Sequence, residues 1–215
     1  MRAAAEVRSG WVDDALAREL PGLGLAWIDM PAPGGARTPP GLREHLRTLA
    51  DRWSGPRAVT MRREPVPAAY RAFSRHVGLD PDVDRPPVEA VVVERLMHGG
   101  FRSRGHVEDA LLVGALETGV PLWALDADRL SGPLGLRAAR PGERLGDGEL
   151  APDVAGSLVV ADATAPVALL LGAVAAGYGP AAGARRLRVF AVQVAGVPRM
   201  CVEEALWAAA DALAA

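Results

Sequence analysis

A chain of 215 residues, half of them hydrophobic, is long enough to bury roughly 70% of its unfolded surface, so a core without covalent staples is expected. The formal net charge of −2 argues against a strongly electrostatic nucleic-acid binder; since all 24 basic residues are arginine, any phosphate contact must come from a local arginine patch. The lone cysteine, Cys201, excludes an internal disulfide and a cysteine-rich zinc site, and points to a reducing compartment.

The start, "MRAAAEVRSGWVDDALAREL", turns acidic after Arg2 and holds no apolar run before a cleavage-like site, so no secretory leader is expected and the cytoplasm is the expected location. Within it, "WVDDALAREL" (11–20) places Trp11, Ala15, Leu16 and Leu20 on one stripe and predicts an amphipathic helix ended by Pro21. "GLGLAWIDM" (22–30) predicts a short buried strand, and the proline- and glycine-rich "MPAPGGARTPPG" a loop. Leu42, His45, Leu46, Leu49 and Trp53 give "LREHLRTLADRW" (42–53) helical spacing. "SGPRAVTMRREPVP" reads as a breaker before a helix in "AAYRAFSRHVG" (68–78).

Pro86 and Pro87 suit the first turn of a helix over "VEAVVVERLMH", which Gly99 and Gly100 stop. "HVEDALLVGALETG" (106–119) is a helix closed by Gly119. Beyond it, short apolar segments at 122–125, 134–138, 158–161, 167–171 and 187–194 lie between glycine and proline turns and predict strands. An alanine-rich helix over about 201–214 follows. Helices in the first half and a strand-rich second half make this an α+β fold, read as a single domain over 1–215. The most apolar run, 165–184, is interrupted by glycine and proline and does not form a membrane-spanning helix, so no membrane partner is expected.

Chemistry-bearing motifs are sparse. The four histidines, His45, His76, His98 and His106, fit no metal-ligand spacing, and no metal or cofactor is expected. His98 and His106 flank "GGFRSRG", where Arg102, Arg104 and His106 could hold a phosphate or carboxylate; a solvated loop is the competing reading. No G-x-S-x-G elbow appears, and the glycines after Leu171 lack the G-K-[ST] of a phosphate loop. Asp126 and Asp128 could chelate a cation on a turn or cap its amides, and Asp147 and Glu149 read as turn residues by the same logic. Glu89 falls in a first helical turn, where the dipole favours a carboxylate, and Tyr70 and Arg71 could pack against that helix.

The order of four segments carries more information than any of these. "YRAFSRHVGLDPDVDRPPVEAVVVERLMHGG", "HVEDALLVGALETGVPL", "ALDADRLSGPLGLRAARPGERL" and "GSLVVADATAPVALLLG" resemble the B3/B4 domain of the phenylalanyl-tRNA synthetase β subunit, best over 65–172, as a free-standing protein of that type. The residues that carry the resemblance include Tyr70, Arg71, Pro86, Glu89, Asp109, Gly119, Pro121, Asp126, Asp128, Gly132, Arg137, Glu143 and Asp162.

The resemblance implies a layered β core and a pocket around Leu122, Trp123, Arg137, Leu171 and Gly172. Asp109 or Asp126 would hold a water that hydrolyses an aminoacyl-tRNA ester. In the synthetase a histidine stands at the place of Trp123, a carboxylate near Gly177, and an asparagine where "EDALL" has leucine, so this pocket is less polar. Two expectations follow. One is a trans-editing deacylase acting on aminoacyl-tRNA. The other is a non-catalytic module binding RNA or a small amino-acid-like ligand, with no DNA partner. RNA contacts would come from Arg102 and Arg104, from Arg185 and Arg186 with Arg188, or from Arg62 and Arg63.

Overall fold

In the computed structural model, which describes residues 6–53, 55–146 and 151–215, the chain first passes from one sheet to another at a single glycine. Strand β1 (Arg8–Ser9) pairs antiparallel with β3 (Gly24–Pro31), while β2 (Trp11–Val12) pairs in parallel with β5 (Gly135–Ala138). The Gly10 amide donates to Leu25 and the Trp11 amide to Leu134, so the switch takes one residue. A Cβ at Gly10 would stand 2.8 Å from both the Leu134 carbonyl and the Leu25 side chain, which is why glycine occupies the crossing. Trp11 is therefore a strand residue. The helix expected over 11–20 shortens to α1 (Asp14–Glu19), because Asp13 caps it by accepting from the Ala15 and Leu16 amides.

The described residues fall into two compact units, one of residues up to Ala32 with Trp123–Gln193, the other Pro33–Leu122 with Val194–Ala215. The first holds both sheets. One has the order β1-β3-β8-β4, with β8 (Arg186–Gln193) antiparallel to β3 from Gly24↔Gln193 to Pro31↔Arg186, and β4 (Leu122–Asp126) beside β8. The other has the order β2-β5-β6-β7, with β6 (Leu158–Ala161) antiparallel to both β5 and β7 (Pro166–Leu169). Unbroken apolar runs in β3 and β8 are buried on both faces, as Leu25–Ile28 and Val189–Val192 show.

The second unit is helical: α2 (Pro40–Arg52), α3 (Gly55–Thr60), α4 (Pro65–His76), α5 (Pro87–His98), α6 (His106–Thr118) and α7 (Arg199–Leu213). Helix α6 is its centre, packed on both α2 and α7 through Ala110, Val113 and Leu116 on its side and Val202, Ala205, Leu206 and Ala209 on that of α7. Gly119 ends α6 in the left-handed conformation, φ 77°, as the sequence predicts. The stretch read as a breaker, 54–67, instead carries α3 and a 3₁₀ turn at Met61–Arg63. Ala58 and Met61 are buried there, and tertiary burial outweighs a composition that no periodicity marks. The mixed α+β class follows directly, with helices over 40–118 and strands over 122–193, preceded by β1 to β3.

Candidate functional site

In the helical unit, the loop 99–105 between α5 and α6 is fixed from beneath by one carboxylate. Asp109, only 1% exposed, accepts from the Thr38 hydroxyl at 2.6 Å, the Ser103 hydroxyl, and the Arg104 amide at 2.9 Å. It sits in the first turn of α6, where the helix dipole adds to these donors. Residues singled out from sequence for different reasons are thus connected: Asp109 holds the loop that presents Arg102 and Arg104. Three donors on one carboxylate make it an anchor before anything else.

Between this loop and α2 lies a cavity of about 300 Å³ lined by Arg43, Leu46, Arg47, Ala50, Asp51, Phe101 and Ser103, with Gly99 and Gly100. Arg43 and Arg47 are one turn apart on α2, beside the buried stripe of Leu42, Leu46 and Leu49. Arg47 is 2.9 Å from Glu44, but both side chains are largely exposed and such pairs hold little energy. Arg104 pairs with Glu94 at 3.0 Å. Among the described residues, the exposed Arg43 and Arg102 have no carboxylate partner. The uncompensated Arg43 and the Phe101 ring line one cavity, and Arg102 follows Phe101 in the chain; such groups are the components of a phosphate-and-base contact. Arg43, Arg47 and Phe101 were missed from sequence; arginines spaced i, i+4 outside a leucine stripe were the available signal. His106, the first residue of α6, is buried with its Nε2 unpartnered among the described residues, and its amide donates to Ala36.

The same unit gathers several residues that carry the resemblance around a narrow crevice lined by Pro67, Tyr70, Pro86, Pro87, Val88, Glu89, Gly119 and Pro121. Beside it the buried Arg71 donates to Glu89 at 2.8 Å, Asp82 at 2.6 Å and the Pro81 carbonyl at 3.1 Å, and Arg62 reaches Glu89 at 2.7 Å. Burial alone would lower the Arg71 pKa, but hydrogen bonds to Asp82 and Glu89 raise it overall, so the guanidinium stays charged. Burial, with Cys201 adding to it, pushes the Tyr70 hydroxyl far above its ordinary value. The Arg71–Glu89 pair holds α4 to α5, and neither the Arg71 guanidinium nor the Tyr70 hydroxyl has a proton to exchange near neutrality. Arg62 is neutralised here by Asp82 and Glu89, while Arg63 is exposed.

In the β unit, Asp126 caps a 3₁₀ turn by accepting from the Asp128 amide at 3.1 Å, the capping role weighed for it above. Asp128 in turn binds Arg186 at 2.9 Å and lies 3.6 Å from Arg185. Arg188 chelates Asp29 through two bonds of 2.7 and 2.8 Å and lies 5.1 Å over the Trp27 ring. Arg137 on β5 is buried and forks onto Glu143 at 2.6 and 2.8 Å; that bond, then the Arg140 amide, holds the Glu143 carboxyl below the usual range. Trp123, on the edge strand β4, stacks on Phe190 with centroids 5.5 Å apart and planes at 16°. Leu171 and Gly172 form the turn after β7, where Leu171 adopts a positive φ of 54°. Leu122 falls in the helical unit. Trp123, Arg137 and Leu171 are thus carried by an edge strand of one sheet, an inner strand of the other, and a turn. Asp147 and Glu149 lie outside the described residues. Among the described residues no group of three histidine, cysteine or carboxylate side chains is placed to hold a metal, and no helix is long and apolar enough to cross a membrane.

No family model matches the chain. It is similar to phenylalanine–tRNA ligase beta subunits. The subunit of Xanthomonas campestris is 37% identical over 94 residues, that of Thiobacillus denitrificans 39% over 112, and that of Methylococcus capsulatus 46% over 81. These matches cover 43%, 47% and 35% of this chain, and 12%, 14% and 10% of the respective subunits. The chain therefore carries a domain related to a small part of that subunit.

Proposed function

We propose that this chain is a tRNA-binding domain of the B3/B4 type, in which Arg43 and Arg102 hold backbone phosphates and Phe101 stacks an unpaired base. The observation that carries this reading is the cavity that Arg43 and Phe101 line together, with Arg43, and Arg102 next to Phe101 in the chain, exposed and without a carboxylate partner among the described residues. Similarity to phenylalanine–tRNA ligase beta subunits supplies the nucleic acid's class. Binding is better supported than hydrolysis. A trans-editing deacylase needs a group free to orient water, whereas Asp109 already accepts three hydrogen bonds and Asp126 is used as a cap. A tRNA partner implies the cytoplasm.

The test is titration of unfractionated tRNA, charged and uncharged, at several salt concentrations. Each phosphate contact contributes about 0.7 to 0.9 to the slope of log K against log salt. The Arg43→Ser, Arg102→Ser double variant should flatten that slope by about 1.4 to 1.8. An unchanged slope overturns the cleft. Release of amino acid from charged tRNA above the protein-free rate, lost in Asp109→Asn, would establish the deacylase reading instead. Salt-independent binding of free amino acids without tRNA binding would establish the small-ligand reading.

A further inference from the structure

A second surface of the helical unit has the opposite charge and no use in the proposed tRNA contact. Helices α2, α6 and α7 border a groove of about 490 Å³ with a floor of Leu42, Val113 and Ala212. Its wall on α7 carries Glu204, Trp207 and Asp211, and Glu117 on α6 stands 3.0 Å from His45 on α2. In a chain with 24 arginines, this lining holds three carboxylates and no arginine. Phosphate would be repelled here.

The exposed stripe of α7 gives the shape of what fits. Met200, Glu204, Trp207 and Asp211 follow one another at intervals of four, three and four residues, the spacing of a helix seam that faces another helix. Met200 is 67% exposed and Trp207 39%, one heptad apart, while the opposite face of α7 is buried through Val202, Leu206 and Ala209. Ala208 and Ala212 between them leave room for a close backbone approach. A seam in which two apolar side chains a heptad apart alternate with Glu204 and Asp211, with Glu117 also in the groove, is complementary to an amphipathic helix that carries basic residues beside its apolar ones.

We propose that this groove docks a basic amphipathic helix of a partner protein, seated over α6 with Trp207 as its central contact and Glu204 and Asp211 facing its cations. The probe is a synthetic leucine–lysine helical peptide, with a leucine–glutamate peptide of the same pattern as control, added to the full chain and followed by calorimetry. The basic peptide should bind in a salt-dependent manner and the acidic one should not. Trp207→Ala should weaken binding by about 30-fold, the size of a central aromatic contact. Because that truncation could disturb α7, Asp211→Arg with Glu204→Arg provides a second test on exposed positions, expected to weaken the basic peptide by at least about tenfold. Equal binding of both peptides, or basic-peptide binding unchanged in the charge-reversed variant, overturns the proposal. So does self-association of the chain that Trp207→Ala abolishes, since the occupant would then be a second copy.

Discussion

Two arginine pairs, one in each unit, are used differently. In the β unit, Arg186 and Arg188 lie on a single strand, yet Asp128 holds one and Asp29 chelates the other. In the helical unit, Arg43 and Arg102 come from a helix and a loop distant in sequence, and the fold leaves both uncompensated among the described residues. The difference teaches that a guanidinium is available to a phosphate only where the tertiary structure withholds a carboxylate. A run of arginines in the sequence says nothing of that. Arg71 is the extreme of the paired kind, buried on Glu89 and Asp82.

The largest effect should come from that extreme. Arg71→Met leaves the Glu89 carboxylate, 2% exposed, with only the more exposed Arg62 against it and takes a second partner from Asp82, and should cost about 3 to 4 kcal/mol in chemical denaturation. Arg102→Ser, by contrast, should change stability by no more than about 0.5 kcal/mol while weakening tRNA binding. If the two variants lose comparable stability, the distinction between held and presented arginines fails. A smaller loss, about 2 to 3 kcal/mol, is expected for Asp109→Ala, which strips acceptors from the Thr38 and Ser103 hydroxyls and the Arg104 amide. Hydrogen exchange at the Arg104 amide should accelerate in that variant. tRNA affinity should fall with it although every arginine is intact.

Much of this fold was legible because its elements announce themselves by local physics. Gly119 after an apolar repeat, paired prolines before Val88, and short apolar runs between turns each fix a boundary by backbone sterics alone. Trp11 was misread because two strand residues followed by a capped helix imitate one amphipathic stripe. Helix α3 was missed because it is short and held by burial of Ala58 and Met61, not by period. At the candidate site, the sequence marked Asp109 and Arg102 separately. Their connection through Ser103 and the Arg104 amide depends on hydrogen-bond geometry that no spacing encodes. The contribution of α2 through Arg43 depends on packing across more than fifty positions.

Carboxylates extend the comparison to the β unit. Asp162 there organises a turn as Asp109 organises a loop, accepting from the Ser131, Thr164 and Ala165 amides and the Thr164 hydroxyl. Burial alone would raise its pKa, but those donors, led by the Ser131 amide, hold it below the ordinary carboxylate range. A carboxyl depressed in the folded state stabilises fully above its unfolded pKa of about 4, and that contribution is lost as pH falls through the lower folded value. Asp162→Asn should therefore lose about 1 kcal/mol at neutral pH and show a flatter dependence of stability on pH below about 4. Parallel acid-denaturation curves for the two proteins would remove the charge from the explanation of this turn.

The smallest effect is the sharpest probe of the arginine comparison. Arg185 and Arg186 are the most exposed guanidinium groups on β8 and its approach, and the sequence placed them among the RNA contacts. Arg186 must leave Asp128 before it can take a phosphate. Two bonds of 2.9 and 3.0 Å to Asp128 must be given up, so the net gain from a phosphate is smaller than for a guanidinium with no carboxylate to leave. Arg186→Ser should thus change tRNA affinity by less than about threefold and leave the salt slope within about 0.3 of the parent. Freeing Arg186 by Asp128→Ser should do the opposite and raise affinity and slope together, since it creates in the β unit the uncompensated state that Arg43 and Arg102 already have. A loss on Arg186→Ser as large as that on Arg102→Ser would show that pairing in the free protein does not decide which arginines meet RNA.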